Sequence, residues 1–128
     1  MSTIFSRIVS GDLPCFKVAE NGQFLAFLDI TPLRKGHVLV IPKVEVDYIF
    51  DMEDDSLAEM MVFAKSVSRK IKHHFPCKKV GMAVIGLEVA HAHIHLIPID
   101  ALSDMDFTKP KLNLKDSELA EIAELLQH

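Results

Sequence analysis

Three histidines occupy every second position in the segment Val89-Ala90-His91-Ala92-His93-Ile94-His95-Leu96-Ile97-Pro98. A period of two is the period of a β-strand, so the segment predicts a strand with three imidazoles on one face, roughly 6.5–7 Å apart from one to the next. Ala92, Ile94 and Leu96 then point to the opposite face, into a core. A strand divided in this way requires a sheet with one apolar face covered by another layer. Its other face carries the one side chain that exchanges protons near neutral pH and that also serves as nucleophile or metal ligand.

The rest of the chain supplies both layers. A short helix is expected over 5–9, ended by Ser10-Gly11-Asp12-Leu13-Pro14. Strands are expected over 16–19 and 24–28, joined as a hairpin at Asn21-Gly22 because both residues tolerate positive φ. A β-branched strand over 37–41 is stopped by Pro42. Leu57, Met60, Met61, Ala64, Val67 and Ile71 recur at helical spacing, which predicts a helix over 51–74 with Asp51 as N-cap, ending before Pro76. Residues 79–85 read as a strand interrupted at Gly86, and the histidine strand closes at Pro98. After an irregular loop over 100–111, Leu119, Ile122, Ala123 and Leu126 mark a C-terminal helix starting near Asp116 or Ser117. The expected fold is one α+β domain over 1–128. An antiparallel sheet of about five strands carries its helices on one side.

At 128 residues the chain is long enough for a real core. A net charge of −4 argues against a nucleic-acid backbone binder. No apolar run reaches membrane-spanning length, and the N-terminus lacks the apolar stretch of a signal peptide. Cys15 and Cys77 show no metal or redox spacing and are expected as reduced thiols, with a cytoplasmic location as the default. His73 and His74 are expected as surface groups at a helix end.

Three readings of the histidine ladder compete. It is a solvent-facing strand face, a metal site completed by His37, or a site of nucleophilic catalysis at phosphorus. Neutral imidazole is a competent nucleophile near pH 7, and flanking imidazoles can hold phosphate oxygens or fix the nucleophile's tautomer. The ladder contains no acidic residue, which weighs against the metal reading and leaves catalysis ahead.

His91-Ala92-His93-Ile94-His95-Leu96-Ile97 resembles the signature of the histidine triad family. The likeness extends to Thr3-Ile4-Phe5-Ser6-Arg7-Ile8-Val9, to Phe24-Leu25-Ala26-Phe27-Leu28-Asp29-Ile30-Thr31-Pro32 and to Gly36-His37-Val38-Leu39-Val40-Ile41-Pro42-Lys43. The pattern is most similar to the family's nucleotide-binding branch. The resemblance implies that His93 attacks the α-phosphate of a purine nucleotide. A nucleotidyl-histidine forms, and water then cleaves it. It implies that His91 and His95 contact phosphate oxygens or support the nucleophile, and that His37 joins them. It implies that Asp29 binds the ribose hydroxyls and that Phe5, Ile8, Phe27 and Ile30 wall the purine pocket. The implied leaving group is the amine of a nucleoside phosphoramidate or, second, the remainder of a dinucleoside polyphosphate. A homodimer is implied as well. The competing class is a nucleotide-binding or signalling module with little turnover.

The sequence departs from the family pattern at two places. Leu87 and Glu88 stand where many relatives carry a glutamine and a hydroxyl residue that contact the phosphate and leaving group, so these two are expected to alter leaving-group contacts. Some relatives bind structural zinc through a Cys-x-x-Cys, but Thr3 and Ser6 occupy the matching positions here. No metal and no cofactor are therefore expected.

Overall fold

The structure is a computed structural model in which residues 3–128 are described. Its elements in chain order are α1 (Ile4–Val9), β1 (Lys17–Glu20), β2 (Phe24–Leu28), β3 (Val38–Pro42), α2 (Asp54–His74), β4 (Lys79–Ala83), β5 (Ile94–Ile99) and α3 (Asp116–Leu126). The five strands form one antiparallel sheet in the order β1-β2-β3-β5-β4.

Alternation along β2 and β3 sorts side chains to two faces. Phe24, Ala26, Leu28, Val38 and Val40 join Ala92, Ile94 and Leu96 in the main core. Helices α2 and α3 cover that face with Met60, Ala64, Val67 and Ile71 and with Leu119, Ile122, Ala123 and Leu126. Truncating a fully buried residue such as Ile71 to alanine removes about 2–5 kcal/mol of stability. Leu25, Phe27, Leu39 and Ile41 face the other way and pack on Phe5 of α1. One helix therefore lies on the opposite face from the other two, whereas the sequence suggested helices on one side only.

Other differences have local causes. The hairpin between β1 and β2 forms, but neither Asn21 nor Gly22 has positive φ. The Asn21 carboxamide oxygen closes the turn instead, accepting from the amides of Gln23 at 2.9 Å and Phe24 at 2.8 Å. Helix α2 begins at Asp54, after Glu53, because Asp51 belongs to a short 3₁₀ turn that buries Ile49. Met61 lies exposed while its neighbour Met60 is in the core. At the end of α2, His73 is exposed but His74 is half-buried, with its Nε2 out of contact with water.

The histidine strand is shorter than expected. Pairing of β5 with β3 runs only from Val40↔Ile94 to Val38↔Leu96, so His91 and His93 precede the strand. Pro42 ends the ladder, and its carbonyl accepts from Nε2 of His91, 2.8 Å away, rather than from a backbone amide. At the far end β5 runs through Pro98 to Ile99, where only β4 still flanks it and a missing N–H is tolerated.

Candidate functional site

The C-terminal end of β2, the helix α1 and the approach to β5 enclose a cavity of about 270 Å³. Its walls are Ile4, Phe5 and Ile8 from α1, Leu13, Pro14 and Cys15 from the next loop, Phe27, Leu28, Asp29 and Ile30 from β2 and its exit, Leu39, and the rings of His93 and His95. Phe5, Ile8, Phe27, Asp29, Ile30, His93 and His95 are thus brought together at one place. His37 lies directly behind them, while His91 is packed against Phe5. The ring centroids of His93 and His95 are 5.0 Å apart, closer than an ideal extended strand would set them.

Hydrogen bonding fixes what each imidazole offers. The Nδ1 of His93 lies 2.7 Å from the carbonyl oxygen of His91. A carbonyl only accepts, so Nδ1 carries the proton and the neutral ring keeps a lone pair on Nε2. The opposite polarity holds at His95. The amide of Leu33 donates to Nδ1 of His37 at 3.1 Å, which leaves the His37 proton on Nε2. That Nε2–H donates to Nδ1 of His95 at 3.0 Å, so the proton of neutral His95 sits on its Nε2. One wall of the cavity therefore carries an imidazole acceptor beside an imidazole donor.

Burial keeps this second pair neutral. His37 is pushed down to about 4, by its desolvation first and by the charge of Lys111 second. His95 also falls to about 4, again chiefly through burial, with the neighbouring imidazoles adding to it. Phe107 shields the pair, its ring 4.8 Å from that of His95. His91 is fully buried, with Nε2 bound to Pro42 and Nδ1 3.0 Å from the Thr3 hydroxyl. It is held inside the fold and does not line the cavity.

Asp29 closes the polar end. Its Oδ1 accepts from the Thr31 amide at 2.9 Å and the Thr31 hydroxyl at 3.2 Å, and Oδ2 is 3.6 Å from Nε2 of His37. Asp29, His37 and His95 place three potential ligand atoms within 4.8 Å of one another. Two imidazoles and a carboxylate suit zinc, but here the two ring nitrogens are directed at each other in a hydrogen bond that a metal would have to displace.

The sequence matches the HIT domain family over residues 10–102. The chain belongs to the HIT family. It is 40% identical over 99 residues to the adenosine 5'-monophosphoramidase hnt1 of Schizosaccharomyces pombe, covering 77% of this chain and 74% of that protein. A hypothetical histidine triad nucleotide-binding protein from Sulfolobus tokodaii superposes with a TM-score of 0.81 at 27% identity, covering 96% of this chain and 88% of that one. A Hit-like protein from Bartonella henselae shares the fold with a TM-score of 0.86 at 23% identity, over 98% of this chain and 94% of that chain.

Two expected HIT site residues lie elsewhere. Leu87 is 89% exposed and lines a separate groove with Tyr48, Phe50, Met61, Met82, Val84 and Ile85. Glu88 is exposed beside it and is not among the residues of the histidine cavity. Conversely, the cavity uses Leu13, Pro14 and Cys15, and the histidines use Leu33, Pro42 and Phe107, none of which the sequence assigns to the site. Two of these act through backbone atoms, which leave no residue-type signature.

Proposed function

We propose that the chain is a nucleotidyl hydrolase or transferase that removes a leaving group from the α-phosphate of a purine nucleotide, with nucleoside phosphoramidates as the first substrate class. The paired polarity of His93 and His95 in the wall of one apolar cavity carries this reading. The base occupies the space between Phe5, Ile8, Phe27 and Ile30, and Asp29 accepts from the ribose hydroxyls.

The reaction is a double displacement. The Nε2 lone pair of His93 attacks the α-phosphorus, a P–N bond forms and the bond to the leaving amine breaks. The amine takes a proton from solvent. The imidazolium so formed keeps its Nδ1–H on the His91 carbonyl, and Nε2–H of His95 donates to a phosphate oxygen as charge develops. Water then attacks the same phosphorus, breaks the P–N bond and returns a proton to solvent.

The groove lined by Tyr48, Phe50, Met61, Met82, Val84, Ile85 and Leu87 adjoins the edge strand β4. An apolar surface beside an unpaired edge supports a homodimer through this face.

Phosphorus NMR of the protein with adenosine 5′-phosphoramidate tests the activity. Release of AMP by the wild type but not by His93→Ala is the expected result. Equal release by both overturns the assignment to His93. Binding of AMP without turnover replaces the enzyme with a nucleotide-binding module.

A further inference from the structure

Outside the cavity, Glu45 sits at the start of a chain of hydrogen bonds that ends at His93. Its Oε1 accepts from the Thr3 amide at 3.0 Å and from the Ser6 hydroxyl. These bonds, that from Ser6 above all, hold the Glu45 carboxyl below its usual range. A carboxylate only accepts, so the Ser6 proton is committed to Glu45 and cannot serve His91, whose Nδ1 is 3.4 Å from that hydroxyl. Thr3 meanwhile accepts from the Ser6 amide at 3.0 Å, as the cap of α1, and is left to donate to His91 Nδ1 at 3.0 Å. The other ring nitrogen of His91 is anchored on Pro42, and its carbonyl holds His93.

The same short helix supplies Ile4, Phe5 and Ile8 to the cavity, and Phe5 meets the rings of both His91 and His93, at centroid distances of 5.9 and 5.1 Å. A helix of six residues has little stability of its own and depends on what fastens it. We propose that Glu45 is a positioning residue: by fastening Thr3 and Ser6 it seats α1 as the cavity wall and holds His91, and through it His93, in place. This deepens the proposed function, since it concerns the nucleotide cavity and the nucleophile named there.

The test combines Glu45→Ala, Glu45→Gln, Thr3→Val and the Glu45→Ala/Thr3→Val pair. Two quantities are followed: the imidazole ¹⁵N resonance of His91 Nδ1 and the dissociation constant for AMP. Glu45→Ala and Thr3→Val should each shift that resonance and weaken AMP about tenfold, the effect of one lost hydrogen bond. The pair should be no worse than the poorer single variant, because both act through one route. Glu45→Gln keeps an acceptor oxygen and should restore both readouts. An unmoved His91 resonance in Glu45→Ala, or effects that simply add, overturns the proposal. The resonance is read without substrate, so a protein that fails to bind or turn over nucleotide still decides the matter. Loss of binding with an unmoved resonance refutes the positioning role and leaves the functional reading standing.

Discussion

The carbonyl of His91 and the Nδ1 of His93 are 2.7 Å apart, so the backbone of one triad member sets the tautomer of the next. The chain bends at His91, and His91 and His93 precede β5 rather than lie in it. The Ala92 amide follows the bend and donates to the Val46 carbonyl at 2.6 Å.

Because the donor at His95 is set by His37, the two should fail together. His95→Phe removes a hydrogen-bond donor from the phosphate and should lower kcat by roughly 10²–10³-fold. His37→Phe leaves His95 free to turn its proton the other way and should lower kcat less, with little added loss in the double variant. Steady-state kinetics on adenosine 5′-phosphoramidate measures all three.

Asp29 should select the sugar. Asp29→Ala should raise KM for ribonucleotides by roughly 10–100-fold, as expected for lost hydrogen bonds to a charged acceptor. KM for 2′-deoxynucleotides should rise less, which a comparison of the two substrate series reads directly.

Acid should destabilise the fold through His37. Its folded value, about 4, lies below its ordinary value of 6.5, so the unfolded chain binds the extra proton first. The contribution of neutral His37 is complete above pH 6.5, declines as pH falls and is gone below about 4. It is on the order of 3 kcal/mol. Denaturant titrations across this window should show the loss, and His37→Phe should reduce it while leaving the share carried by His95, which burial lowers to about 4 as well.

How far the residues alone reveal the molecule depends on how local the cause is. The stripe ending at Ile71 and Pro76 reads as α2 because helix period and proline are local signals. The alternation of β2 and β3 reads equally well, and so does the placement of Asp29 and Phe27 at one strand end. The beginning of α2 does not, because burial of Ile49 turns the chain at Asp51 before the helix can start. Glu45 is silent for the same reason: its partners lie about 40 residues away, at Thr3 and Ser6. From the sequence motif Leu87 and Glu88 are expected beside the phosphate, yet the segment after Gly86, with a φ of +74°, directs Leu87 to a groove instead.

That groove makes its own prediction. Leu87→Asp places a charge on an apolar surface and should convert the proposed dimer to a monomer in light scattering. His93 lies in a different cavity, so its imidazole resonances should stay unchanged.

The most direct test of the central claim is to trap the covalent intermediate. Protein mixed with adenosine 5′-phosphoramidate is quenched within the first turnover under alkaline conditions, digested and examined by mass spectrometry. One AMP moiety on the peptide at His93, absent from His93→Ala, is the predicted result. AMP formed at full rate with no adduct at any quench time, or an adduct on His95 instead, would contradict the account.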